Sequence, residues 1–274
     1  MEQQPEALAG FLEDYESVTV IGGAGVSTSS GIPDYRDRNG DWKHARPIQF
    51  PDFLKSPDTR RRYWARSYVG WQRFSKARPN AAHYALADLE TGGKIDTLIT
   101  QNVDRLHSVA GSRRVIDLHG DLAIVRCLAC GETHARSDFQ LALKNANPAW
   151  HAEVFRYKPD GDAELGMNHH EDFNVPGCTI CAGLIKPDVV MFGENVPKDR
   201  VREATAAVDR AEALLVVGSS LMLFSGYRFI RQAAATKKPI AIVNQGRTRA
   251  DEIAALKVEA DCGHILSAAA SLLH

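Results

Sequence analysis

The chain has 274 residues, 44% of them hydrophobic and 24% charged, enough to bury a substantial core in one large domain with a satellite module or in two modest domains. That length and balance exclude disulfide miniproteins, fibrous repeats and wholesale disorder. Lys plus Arg number 33 against 34 Asp plus Glu, a formal net charge of -1, so nucleic acid is not an expected partner. The longest apolar runs, at 213–218 and 239–243, fall far short of the roughly 20 residues that cross a bilayer. The opening Met1-Glu-Gln-Gln-Pro-Glu6 has neither a signal-peptide nor a presequence pattern. The expectation is a cytoplasmic protein with no membrane partner, acting as a monomer.

Short runs rich in β-branched residues predict strands at 18–21, 95–100, 115–118, 214–217 and 239–243. Their apolarity is continuous rather than alternating, the pattern of strands buried on both faces. Helical periodicity lies between several of them, at 80–90, where Ala82, Leu86 and Leu89 form one stripe, and at 201–211. Strand, helix, strand at these lengths predicts an α/β fold with a parallel doubly wound sheet. Two stretches break the pattern. Residues 38–78 carry Trp42, Trp64, Trp71 and a run of arginines, and read as a helical insertion. Residues 122–186 carry turn residues and paired cysteines, and read as a small module with a long polar loop at 145–176. The large domain is then discontinuous, comprising 1–37, 79–121 and 187–274.

The first predicted strand runs into Gly22-Gly-Ala-Gly-Val-Ser-Thr-Ser-Ser-Gly-Ile-Pro-Asp-Tyr-Arg36. A glycine loop after a strand lets backbone N–H groups approach a pyrophosphate. A bare Gly-x-Gly is equally what a tight turn requires, and Thr28 stands where the dinucleotide fingerprint has its third glycine. The polar tail Pro33-Asp-Tyr-Arg36 is more than a turn needs. The acid that holds the adenine ribose in hydride-transfer enzymes belongs near Asp41-Trp-Lys-His-Ala-Arg46, where no strand precedes it. A dinucleotide is therefore held differently here.

The second strand closes on Thr100-Gln-Asn-Val-Asp104, and the third on His119. Ligands of open α/β sheets bind at such carboxyl ends. Capping of a helix by Asn102 or Asp104 is the plain alternative for either residue alone. An imidazole with its ordinary pKa of about 6.5 suits a general base near neutral pH, though a lone His at a strand end is more often structural.

Cys127, Cys130, Cys178 and Cys181 form two Cys-x-x-Cys pairs, the spacing of a zinc site in a reducing compartment. Four thiolates fill a tetrahedral shell, so the zinc is expected to be structural. Cys262 stands alone and reads as a buried apolar residue. His151, His169, His170, Glu164, Glu171 and Asp172 in the long loop read as solvated residues rather than a second metal site.

In order along the chain, Gly23-Ala-Gly-Val-Ser27, Gly31-Ile-Pro-Asp-Tyr-Arg36, Thr100-Gln-Asn-Val-Asp104, Leu118-His-Gly120, the two cysteine pairs, Lys186-Pro-Asp-Val-Val-Met-Phe-Gly-Glu194, Gly218-Ser-Ser220 and Asn244 resemble the sirtuin family. Residues 62–71 and 110–114, with Pro159-Asp-Gly-Asp162, look like the class II branch that includes the mitochondrial sirtuin 4 type. The resemblance implies a Rossmann-like domain, an inserted zinc ribbon, and acylated lysine of protein substrates as partner, bound between the two. It implies NAD as co-substrate, held by Gly23, Ala24, Gly25, Asp34, Tyr35, Arg36, Gln101, Asn102, Asp104, Gly218, Ser219, Ser220, Asn244 and the backbone at Cys262. Asn102 and His119 would be catalytic, His119 as the base that takes a proton from a ribose hydroxyl. Val190, Phe192, Gly193 and Glu194 would bind the acyl-peptide as an added strand. The products implied are free lysine, nicotinamide and O-acyl-ADP-ribose.

Gly22 and Arg105 depart from the family, which commonly has Thr at the first position and Gly or Ala at the second. Tyr63 and Arg66 share the spacing of the pair that binds acidic acyl groups in desuccinylating sirtuins, within a differently patterned segment. The long loop is a candidate for narrowing acyl choice. Two other functions compete with deacylation: NAD-dependent mono-ADP-ribosyl transfer to a protein, and a non-catalytic zinc-ribbon binding module, the latter disfavoured by the near-neutral charge.

Overall fold

A computed structural model describes residues 4–43, 47–166 and 170–273. Its strands, in chain order, are β1 (Val18–Gly22), β2 (Ile95–Thr100), β3 (Val115–Asp117), β4 (Gly120–Cys127), β5 (Thr133–Ala135), β6 (Val154–Tyr157), β7 (Ala163–Leu165), β8 (Ile185–Val189), β9 (Ala213–Val217), β10 (Ile240–Val243) and β11 (Leu256–Val258). The helices are α1 (Gln4–Glu13), α2 (Phe50–Lys55), α3 (Pro57–Phe74), α4 (Ala81–Thr91), α5 (Leu106–Ala110), α6 (Arg136–Ala146), α7 (Lys198–Arg210), α8 (Phe224–Ala235) and α9 (Cys262–Leu272). The chain divides into two compact units, unit 1 at 1–44, 78–118 and 196–274, and unit 2 at 45–77 and 119–195.

Unit 1 is built on a six-stranded sheet in the order β11-β10-β9-β1-β2-β3, parallel at every pairing. The predicted doubly wound sheet is present, with β11 as a sixth strand that its three residues were too short to announce. The continuous apolarity has a direct cause in the strand period of two. Val18, Val20, Leu98, Leu215, Val217, Ala241 and Val243 join one core with residues of α1, α4 and α9. Ile21, Ile99, Leu214, Val216, Ile240 and Ile242 join a second core with residues of α7 and α8. Strands β1, β2, β9 and β10 thus feed two helical layers, with Thr19 and Thr97 as polar residues buried among them.

Unit 2 pairs β4 antiparallel with both β5 and β8. That pairing draws 185–189 and the residues after it to β4 rather than to the large sheet. The stretch at 38–78 supplies α2 and α3, each with Pro in its first turn, and Ser56 caps α3 by accepting from the Thr59 N–H at 3.1 Å. Trp64, Phe53, Phe139, Leu143 and Phe173 form the apolar centre. The polar loop at 145–176 contains a hairpin of β6 and β7 that its composition did not predict. Arg66 of α3 binds this hairpin through Asp162 and through the Ala163 carbonyl at 3.0 Å. His169 and the segment 44–46 lie outside the described residues.

Candidate active site

The sheet of unit 1 reverses its strand order between β1 and β9. Crevices at such switch points are the usual ligand sites of open α/β sheets. The carboxyl ends of β1, β2, β9 and β10 deliver Gly23–Gly25, Gln101–Asp104, Gly218–Ser220 and Asn244. The first and third of these loops touch backbone to backbone. A Cβ at position 23 would lie 2.6 Å from the Ser219 Cβ, and one at 25 would lie 2.9 Å from the Gly218 Cα. The Gly25 N–H donates to the Gly218 carbonyl at 2.8 Å. Gly218 itself takes φ +57. These three glycines are therefore required by the contact between loops, whatever else the site holds.

Around that contact the polar side chains converge on Ser27, which is 1% exposed. The Asn102 amide donates to the Ser27 Oγ at 3.0 Å and to the Gly23 carbonyl at 3.1 Å. The Ser27 hydroxyl donates to Asp104 Oδ2 at 2.6 Å. Asp104 Oδ1 accepts the Leu106 N–H at 2.9 Å, so one oxygen holds the first residue of α5 and the other faces Ser27. His83 completes the cluster with Nε2 3.4 Å from the Ser27 Oγ. Its Nδ1 accepts the Asn80 N–H at 3.2 Å in a capping box that starts α4, which leaves the ring proton on Nε2, toward Ser27. Sequence reasoning assigned no role to Ser27 or His83. The Asn-x-x-His signature ahead of the helical stripe was the available signal.

Gln101 donates to the Ser219 Oγ at 2.8 Å, tying the β2 loop to the β9 loop. Asn244, 7% exposed, donates to the carbonyls of Gln245 and Gly246 at 3.1 and 3.2 Å and so holds the turn after β10. Cys262 opens α9 with its thiol 3.6 Å from the Val243 carbonyl, and burial pushes that thiol up to about 12. Arg36 lies with its guanidinium 4.3 Å from the centre of the Trp42 ring and donates to the Gly40 carbonyl at 2.6 Å. Asp34 pairs with Lys43 at 2.6 Å, and the Tyr35 carbonyl accepts the Lys43 N–H at 2.9 Å. The turn is seated by the Arg247 N–H, which donates to the Arg38 carbonyl at 2.8 Å. Hydroxyls, amides and one carboxylate at a switch point suit the sugars and carboxamide of a dinucleotide.

In unit 2, half-buried His119 precedes β4, and its carbonyl accepts the Val190 N–H at 2.8 Å. Beyond β8, Phe192 bridges Gln49, Gly193 takes φ +80, and the Glu194 carboxylate turns back to accept the Met191 N–H at 2.9 Å. The four cysteine sulfurs lie within 4.8 Å of one another, with Cys127 to Cys181 at 3.5 Å and Cys130 to Cys178 at 3.7 Å. Tetrahedral zinc with Zn–S bonds of about 2.3 Å places its sulfurs about 3.8 Å apart, so the residues fit one structural ion. It is the only such ligand group among the described residues. His151 instead lies 3.1 Å from the Ala149 carbonyl, and His170 lies 3.4 Å from Asp58.

Residues 23–225 match the Sir2 family. The chain belongs to the sirtuins. It is 53% identical to an NAD-dependent protein deacetylase of Xanthomonas campestris over 265 residues, covering 97% of this chain and 90% of that one. It is 45% identical to the NAD-dependent protein deacylase Sirt4 of Drosophila melanogaster over 270 residues, covering 97% and 86%. A solved Sir2 structure with a p53 peptide and NAD+ aligns at a TM-score of 0.76 and 30% identity, covering 95% and 94%.

Two departures of this sirtuin now have physical content. A Cβ at Gly22 would lie 3.4 Å from the Nε2 of His107, a buried ring with no hydrogen-bond partner at either nitrogen, so the glycine removes the place from which a hydroxyl could reach it. Arg105 occupies the left-handed region at φ 63, where Gly carries no steric cost.

Proposed function

We propose that this sirtuin is an NAD-dependent protein lysine deacylase. The observation that carries the proposal is the Ser27 cluster: Asn102 and Asp104 converge on one buried hydroxyl at the switch point of the sheet, in a chain more than half identical to deacetylases. NAD supplies the ADP-ribosyl group that accepts the acyl chain from lysine. The loops at Gly23–Gly25, 34–36 and Gly218–Ser220, with Gln101, Asn244 and the Cys262 backbone, hold the dinucleotide. Asp104 orients the nicotinamide carboxamide. Asn102 holds the ribose beside it, and His119 accepts a proton from a ribose hydroxyl. Val190, Phe192, Gly193 and Glu194 pair with the extended acyl-peptide. The zinc-binding module at 122–186 supports that segment through β4 and β8.

Arg66 bears on the acyl group. Its guanidinium is engaged by Asp162 and the Ala163 carbonyl, which leaves it poorly placed to bind an acidic chain. Acetyl and longer apolar acyl groups are therefore expected to be removed ahead of succinyl and glutaryl. The test is mass spectrometry after incubating the protein with NAD and a panel of acetyl-, succinyl-, glutaryl-, lipoyl- and long-chain acyl-lysine peptides. O-acyl-ADP-ribose that disappears in His119→Tyr supports the reading. An ADP-ribosylated acceptor protein without deacylated peptide overturns it in favour of ADP-ribosyl transfer.

A further inference from the structure

Unit 2 buries a cation that none of these roles uses. Lys186 is 5% exposed, and an ammonium buried that far is costly unless it is paired and hydrogen-bonded. Its Nζ donates to the Val189 carbonyl and, at 2.9 Å, to Glu194 Oε2, and lies 5.5 Å from the centre of the Phe50 ring. That same carboxylate oxygen accepts the Met191 N–H, while the Glu194 N–H donates to the Met191 carbonyl at 3.0 Å. One carboxylate therefore closes the 191–194 turn and locks it to the ammonium. The opposite side of the turn is pinned by the Phe50 N–H, which donates to the Phe192 carbonyl at 2.8 Å. Between these anchors the Val190 N–H binds the His119 carbonyl.

We propose that Lys186 is a positioning residue, whose ion pair with Glu194 sets the 189–194 backbone for pairing with the acyl-peptide. What the segment binds rests on the deacylase reading; the latch itself does not. The geometry favours this role over simple stabilisation because each partner of the ion pair also bonds backbone of the same short segment, Lys186 at the Val189 carbonyl and Glu194 at the Met191 N–H. An ion pair serving only the core of unit 2 has no need to close a turn.

Lys186→Met keeps the aliphatic stem and removes the charge. The expected result is a rise of about tenfold in peptide KM, a much smaller change in kcat, and an unchanged NAD KM. Lys186→Arg restores the charge and should return peptide KM to within about threefold of the parent. Glu194→Gln, isosteric and half-buried, should match the Met variant in amide exchange and carries the test there if that variant does not fold, since Glu194 itself faces the peptide. Amide exchange reads the latch without turnover: Met191 and Glu194 amides should exchange about tenfold faster in either variant. An unchanged peptide KM with unchanged exchange overturns the proposal. So does equal loss in the Arg and Met variants, or loss spread evenly over NAD KM and zinc content. Failure of the parent to deacylate any peptide overturns the functional reading alone, since the exchange result stands without it.

Discussion

In unit 1 the sheet sorts its apolar side chains by parity into two layers, and the polar groups of the site gather at the ends of the strands. Among the described residues, every buried Asp, Lys and Arg lies in unit 2. Arg136 is fully buried, 5.2 Å from the ring centres of both Trp64 and Trp71, and donates to Ser67 and Gln140. Lys186 and Asp162 are each 5% exposed, and the four cysteine sulfurs cluster within 4.8 Å of one another. Unit 2 is held by metal ligands and buried ion pairs beside its apolar centre, as the cysteine cluster and the Arg66–Asp162 and Lys186–Glu194 pairs show. Unit 1 spends its specificity on close backbone approach, unit 2 on charge and metal.

The largest effect that sharpens this contrast is loss of the metal. Zinc affinity in small zinc modules is worth about 10–16 kcal/mol, so chelation or Cys181→Ser should collapse unit 2 while leaving the sheet of unit 1 intact. Near-ultraviolet circular dichroism reports it, because Trp64, Trp71 and Trp150 lie in unit 2 and only Trp42 in unit 1; most of the signal should be lost while far-ultraviolet helicity largely remains. One zinc per chain by elemental analysis is the matching expectation, and an unchanged spectrum after chelation would break the comparison.

In unit 1 the corresponding weak point is a methyl group at a loop contact. Gly25→Ala forces a Cβ against the Gly218 backbone, which has no flexible end to move. A loss of about 2–3 kcal/mol in denaturant melts is expected, with NAD binding by calorimetry weakened about tenfold or more. Normal affinity and stability in this variant would show that the two loops are free to separate.

Acid should also act on unit 1. Burial holds the His83 imidazole down to about 4 and the His107 imidazole down to about 3, with the His83 charge adding to the latter. An unfolded histidine titrates near 6.5, so below that pH the unfolded chain binds protons that the folded chain refuses. The histidine contribution to stability is then level above pH about 6.5 and falls as pH drops toward 4, by about 2 kcal/mol per histidine at pH 5. Denaturant melts from pH 8 to 5 on the protein and on His107→Phe isolate it, because the variant should lose about half of that contribution to the slope. An identical slope in that variant would place the acid sensitivity elsewhere.

The smallest effect concerns Arg105. Arg105→Gly relieves a left-handed backbone but adds freedom to the unfolded chain, for a net gain of about 0.5–1 kcal/mol in thermal melts. A loss of stability would mean that the side chain supports the strand-end loop more than its backbone strains it.

Much of the site was legible as composition at strand ends. Gln101, Asn102, Asp104, Gly218, Ser219 and Asn244 all follow apolar runs, and the sheet places them at its carboxyl edge. Helix capping was the plain alternative for Asp104; the N-cap of α5 is Arg105, and Asp104 instead bonds both Ser27 and the Leu106 N–H. Less legible were Ser27, His83 and Lys186. Each matters through a partner far from it in the chain or through a turn that exists only after β4 and β8 have paired.

By itself the sequence determined what depends on local period and ligand count: the strands buried on both faces, the helical stripe at 80–90, and four thiolates suited to zinc. Tertiary structure alone decided which strand-end loops meet, why Gly23 and Gly25 admit no side chain, and that residues 119–195 join the zinc unit. Period and spacing act over a few residues, whereas the packing of loop on loop and the pairing of β4 with β8 act across 50 residues or more, where only the folded chain supplies the neighbour.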